Sequence, residues 1–115
     1  MIAHVILFQP RPDLTLDERD ALLAALETAA RAVPSVRSCR IGRRVKHGLP
    51  GYEQLMPPFD YAAILEFDDL DGLRAYLQHP AHEGIGTHFT ASAAAALAYD
   101  YETADLREAG RLVSL

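Results

Sequence analysis

A chain of 115 residues, half of them hydrophobic, is long enough to close one core and too short for two ordinary domains. Its net charge of −5 argues against nucleic acid or an anionic membrane as partner, because both attract basic surfaces. Cys39 is the only cysteine, so no intrachain disulfide is available; residues 1–8 lack the pattern of a secretory leader, no apolar run reaches the roughly 20 residues of a spanning helix, and a cytoplasmic setting is expected.

Residues 2–9 form an apolar, β-branched and aromatic run closed by Pro10 and Pro12, which predicts a strand buried on both faces. Alternation puts Ile2, His4, Ile6 and Phe8 on one side, with His4 the polar exception. Thr15 and Glu18 then have the spacing of a capping box, opening a helix that runs to about Ala32. Its apolar stripe is expected to be Leu16, Leu23, Leu26, Ala30 and Val33. Pro34 ends it.

Residues 36–45 read as a second strand carrying Arg37, Arg40, Arg43 and Arg44. Arginines suit anionic substrates, but on a short strand they more often guard an edge against unwanted pairing, and that reading is preferred here. Residues 46–60 hold two glycines and three prolines and form a long loop whose Leu55, Met56 and Phe59 are suited to covering a neighbouring surface. Residues 61–67 follow as a third strand, with Tyr61, Ala63, Leu65 and Phe67 on one face.

Asp68, Asp69 and Asp71 sit where the next helix needs a cap and favours negative charge, so they are read as helix-start residues and not as a metal cluster. That helix carries Leu70, Leu73, Tyr76 and Leu77 and stops at Pro80. A bend at His79-Pro80 swings His82 back toward Tyr76, which an unbroken helix would hold on different sides. His79 and His82 have a metal-like spacing, but Pro80 distorts it and no metal or other cofactor is expected. Beyond Gly84 and Gly86, the alanine-rich residues 87–98 predict a helix, and residues 97–102 a fourth strand in which Leu97, Tyr99 and Tyr101 alternate with Ala98 and Asp100. Residues 103–115 keep Leu106, Leu112, Val113 and Leu115 and are expected to be a tail outside a domain of residues 1–102.

The order strand, helix, strand, strand, broken helix, strand is the α+β, ferredoxin-like βαββαβ arrangement with an antiparallel sheet. Helices cover one sheet face. The other, apolar face calls for a second copy, and two sheets packed face to face predict a homodimer closed into an α/β barrel.

The opening Ile2-Ala3-His4-Val5-Ile6-Leu7-Phe8, the strand pieces Leu65-Glu66-Phe67 and Tyr99-Asp100-Tyr101, and above all Tyr76-Leu77-Gln78-His79-Pro80-Ala81-His82 resemble the stress-responsive A/B barrel domain (dimeric α/β barrel) family over about residues 2–102. Within that family the chain is similar to members of the olivetolic acid cyclase type, which close a linear poly-β-ketone thioester by aldol condensation without a cofactor. The resemblance implies His82 as catalytic base and Tyr76 as its partner, with His4, Tyr61 and His79 as substrate-binding positions. Tyr61 departs from the histidine such cyclases carry at the start of the third strand, which alters the polarity of the implied pocket. Two readings result. One is a cofactor-independent, aldol-type cyclase or related acid/base enzyme acting on a small, partly apolar, polyketide-like carbonyl compound; the other is a non-catalytic dimer of stress-response or small-molecule-binding type.

Overall fold

The computed structural model describes residues 1–51, 53 and 56–113. Strand β1 (Ile2–Pro10) leads to helix α1 (Leu16–Ala32), then β2 (Ser38–Arg43), β3 (Tyr61–Phe67), α2 (Leu70–Gln78), α3 (Pro80–Ser92) and β4 (Ala93–Glu102), followed by a short 3-10 turn over Leu106–Arg111. The four strands form one antiparallel sheet in the order β2-β3-β1-β4. This is the ferredoxin-like α+β fold.

Cross-strand register decides which residues share the helix-covered face. His4 lies between Leu65 of β3 and Asp100 of β4, and Leu65 faces Cys39 of β2. Ile6 and Phe8 continue that face opposite Ala63 and Tyr61. Against it pack Ala29 of α1 and Val33 just past its end, Leu73 and Tyr76 of α2, and Ile85 of α3, all buried with Leu65 and Phe67. Burial of each such side chain stabilises the fold by about 1.5–3 kcal/mol before the opposing loss of chain entropy.

The helix boundaries follow local chemistry. Thr15 accepts from the Glu18 amide at 3.2 Å while the Glu18 carboxylate accepts from the Thr15 amide, completing the expected capping box. Asp69 caps α2 through the Gly72 amide at 2.8 Å. A Cβ on Gly72 would stand 3.3 Å from Ser35 and 3.5 Å from Phe67, so the missing side chain lets α2 settle close to the sheet. On α1 the stripe is shifted from expectation: Leu16 is exposed, and Ala29 sits fully buried at the contact in its place.

The largest departure lies between Pro80 and Ala98. Pro80 ends α2 but also occupies the first turn of α3, where a missing N–H goes unneeded, and the His79 ring caps that turn by accepting from the Ala81 amide at 3.0 Å. Gly84 and Gly86 fall inside α3 on its exposed side, and the helix ends at Ser92, not at Ala98. Ala93, Ala95, Ala96 and Ala98 instead pair with Pro10, Gln9, Phe8 and Ile6. Ladder hydrogen bonds to β1 outweigh the helix preference of alanine, which is worth only tenths of a kcal/mol per residue.

The other sheet face carries Val5, Leu7, Ile64, Leu97, Tyr99 and Tyr101, and β1 is therefore covered on one face only within the single chain. Leu97, Tyr99 and Tyr101 are 40–53% exposed, which leaves β4 with an uncovered aromatic face. Beyond β4, Thr103 donates to the Met1 carbonyl from both its amide and its hydroxyl. Leu106 and Val113 are exposed. Leu55 and Leu115, given covering or packing roles above, lie outside the described residues; Met56 is exposed and Phe59 half-buried. No helix among the described residues is long and apolar enough to cross a membrane.

Candidate functional site

Three rings stack inward from different elements. β1 supplies His4, α2 supplies Tyr76 and α3 supplies His82. Tyr76 is 1% exposed and stands edge-on between the two imidazoles, with ring centroids 6.1 Å from His4 and 5.0 Å from His82. The break at His79-Pro80 gives this approach, since it lets α3 turn its first residues back over the end of α2.

The polar tips of the three rings are not equally committed. The His4 Nδ1 lies 2.5 Å from the Asp100 carboxylate, a pairing fixed by the register of β1 with β4. Neither the Tyr76 hydroxyl nor the His82 ring has a hydrogen-bond partner among the described residues. Neither is sealed from solvent, since the one fully buried, unpartnered side-chain polar atom among the described residues is the Arg11 Nε, so both tips stay open to water or a ligand. Burial pushes the Tyr76 phenol up to about 12, helped by the nearby Cys39 sulfur, and it stays protonated through the physiological range. Burial, and secondarily the charge of His4, lowers the His82 pKa, favouring the neutral imidazole. A neutral base and a protonated donor thus stand side by side.

Along the same sheet face lies a cavity of about 360 Å³ between the sheet, α1 and α3. Ile6, Phe8, Leu22, Leu26, Ile85 and Phe89 give it an apolar wall. Tyr61, Arg43 and Arg19 stand at its other end. His4 is two residues before Ile6 on the same face, about 7 Å along the strand, and His82 is one helical turn before Ile85. His4, Tyr76 and His82 are not among the cavity walls; they form the next layer beyond Ile6 and Ile85.

Of the residues singled out from the sequence, the fold therefore gathers His4, Tyr76 and His82. Tyr61 lies four residues further along β3 from Leu65, on the cavity but away from the ring stack. His79 occupies the α2–α3 joint, where its Nδ1 is engaged as a helix cap. Asp100 was not anticipated: alternation alone puts it on the face opposite Tyr99 and Tyr101, but nothing in the sequence shows that β4 pairs with β1 in the register that sets it on His4. No group of three or more His, Cys, Asp or Glu side chains suited to a metal occurs among the described residues.

Residues 2–103 match the sequence profile of the stress responsive A/B barrel domain. The chain belongs to this family. Other stress responsive A/B barrel domains and their structural neighbours share its architecture. The Arabidopsis thaliana protein At3g17210 superposes with a TM-score of 0.76 at 18% identity, over 92% of this chain and 98% of that one. A dimeric ferredoxin-like protein of unknown function from Thermobifida fusca gives 0.67 at 25% identity, over 89% and 90%. The hydroxynitrile lyase of Passiflora edulis gives 0.74 at 12% identity, over 87% and 90%. No curated protein matches the chain. Solved structures that share this fold thus include one named as an enzyme and one named as a protein of unknown function.

Proposed function

We propose that the chain is a cofactor-independent acid/base enzyme on a small, partly apolar carbonyl compound of polyketide type, working as a homodimer. The observation that carries this reading is the uncommitted pair: a half-buried, neutral His82 imidazole set against a Tyr76 phenol that is 1% exposed, with no protein partner for either among the described residues. In the proposed reaction the free imidazole nitrogen of His82 takes a proton from the methylene between two carbonyls, which is already acidic enough for a base near neutrality. The electron pair left behind moves onto the adjacent carbonyl oxygen. The Tyr76 hydroxyl donates a hydrogen bond to that oxygen. The enolate carbon then attacks a second carbonyl of the same chain, forming a C–C bond, and the imidazolium returns the proton to the new alkoxide. The cavity beyond Ile6 and Ile85 would hold the apolar remainder and fold it for closure. His4, tied to Asp100, holds the far side of Tyr76 and positions the ring.

The dimer reading is supported by the exposed Leu97, Tyr99 and Tyr101 on an otherwise half-covered apolar face, and by dimeric relatives of the same fold. An apolar face of this extent is seldom left in water.

A second reading is favoured by one observation, that the ring stack is not a wall of the cavity. There the rings would be packing at a helix joint in a non-catalytic dimer. The experiment that separates the two is turnover of a panel of β-keto thioesters by the parent chain, His82→Gln and Tyr76→Phe. Parent turnover lost in both variants, with folded dimers retained, supports the enzyme; an inactive parent together with a marked loss of stability in His82→Gln supports the packing role.

A further inference from the structure

The chain holds ten arginines. Nine have a carboxylate or carbonyl partner in the fold: on and around β2, for example, Arg37 reaches Asp68 at 3.1 Å, Arg40 reaches Glu66 at 3.4 Å, and Arg44 donates to the Glu53 carbonyl at 3.2 Å. Arg43 has none among the described residues, although it sits in a protein of net charge −5. Its place is specific. It closes β2 directly opposite Tyr61 and lines the apolar cavity, as does Arg19 of α1. The edge-guarding account that suits Arg40, on the open face opposite Ile64, does not extend to Arg43, whose side chain lies on the helix-covered face at the cavity.

We propose that the cavity takes an amphipathic anion, its apolar chain lying against Phe8, Leu26 and Phe89 and its terminal carboxylate or phosphate received by Arg43, with Arg19 and Tyr61 beside it. This rests on the enzyme reading above for the identity of the other end, which points toward His82. A guanidinium with all five donors free is suited to a bidentate oxyanion, and the Tyr61 hydroxyl adds a further donor. Arg19 supplies a second positive charge, shared with Asp20 at 2.9 Å. The sheet also sets a length. Arg43 pairs with Tyr61 and Cys39 with Leu65, beside His4, so the cationic end and the ring stack are four residues apart, about 13 Å along the strands. The reacting carbonyl and the anionic terminus are therefore separated by a medium-length chain.

Calorimetric titration of the full chain with decanoate, decyl phosphate and decanol tests this. An anion is expected to bind roughly fivefold more tightly than decanol, the modest size reflecting the exposure of Arg43 to solvent. That preference should shrink at high salt, vanish in Arg43→Gln and partly persist in Arg43→Lys. Which of decanoate and decyl phosphate binds better identifies the source of the charge. Equal binding of all three, absence of any binding, or a preference unchanged in Arg43→Gln overturns the assignment. So does a preference lost in His82→Gln instead. Turnover of neutral β-keto thioesters is measured separately, so failure of the charge preference leaves the His82 reading standing, and failure of turnover leaves the anion site standing.

Discussion

The Tyr76 ring meets the His82 imidazole edge-on at 5.0 Å, across a helix break of a single residue, His79. The proximity depends on the break, and the chemistry proposed for the pair depends on their protonation states, which pH tests directly.

In the folded chain the His82 pKa lies below its ordinary 6.5 because burial penalises the imidazolium. The unfolded chain therefore binds this proton more readily than the folded one. The associated stability is complete above about pH 6.5 and is lost as pH falls from there through the lowered folded value, with no further loss below it. Denaturant melts between neutral and mildly acidic pH should show this slope in the parent and a reduced slope in His82→Gln. If turnover is found, the acid limb of kcat/KM should have its midpoint below 6.5, and a midpoint above it would exclude His82 as the base.

The His4–Asp100 pair offers a second test. His4 is 6% exposed and its partner carboxylate more open, so the pair should be worth about 1 kcal/mol, well short of a fully buried charged hydrogen bond. A double-mutant cycle of His4→Gln and Asp100→Ala, read by equilibrium unfolding, should return a coupling of that size. Asp100→Asn, which retains an acceptor oxygen, should cost less than Asp100→Ala. Additive single effects would mean that the contact contributes nothing.

Light scattering after gel filtration should give twice the chain mass for the parent. Placing charges on the open face with Leu97→Glu and Tyr99→Lys should yield a folded monomer with unchanged secondary structure by circular dichroism, because neither side chain faces the helices. A monomeric parent at micromolar concentration would remove the barrel.

Removal of residues 104–115 should shift stability by less than about 0.5 kcal/mol. Leu106 is 88% exposed, and the Arg111–Glu102 ion pair is open to solvent, where such pairs are worth little. Thr103, which bonds to the Met1 carbonyl, is kept in this variant. Loss of cooperative melting would place the tail inside the core or the dimer seam.

What was legible in advance had a local physical cause. Thr15 with Glu18, Asp69 before an apolar stripe, and Pro80 after one each satisfy or remove backbone donors within a turn, so the residues announce the boundary. Alternation likewise assigned the faces of β1 and β3 correctly, and with them the side of the sheet on which His4 lies. The end of α3 was misread for the opposite reason. Ala93 to Ala98 have a helix preference of their own, and only the pairing with β1 converts them to strand. Asp100 beside His4, 96 residues away in sequence, depends on that same register. Arg43 was grouped with its neighbours because charge alone does not distinguish it; its lack of a partner and its place at the cavity emerge once α1 and β3 are in position.

Helix α3 passes into β4 with no intervening residue, Ser92 ending one and Ala93 beginning the other. The joint itself carries a register shift, with Pro10 paired to Ala93 but Gln9 to Ala95, and from Ala95 onward side chains alternate strictly between faces. One extra residue inserted just after Ala95, with the joint and its bulge held in place, would put Tyr99 where Asp100 now meets His4, and would turn the carboxylate toward the tyrosine face. Past the bulge the spacing to Asp100 is in this sense a parity condition: a single insertion or deletion exchanges the two faces, and a pair restores the faces but carries Asp100 away from His4.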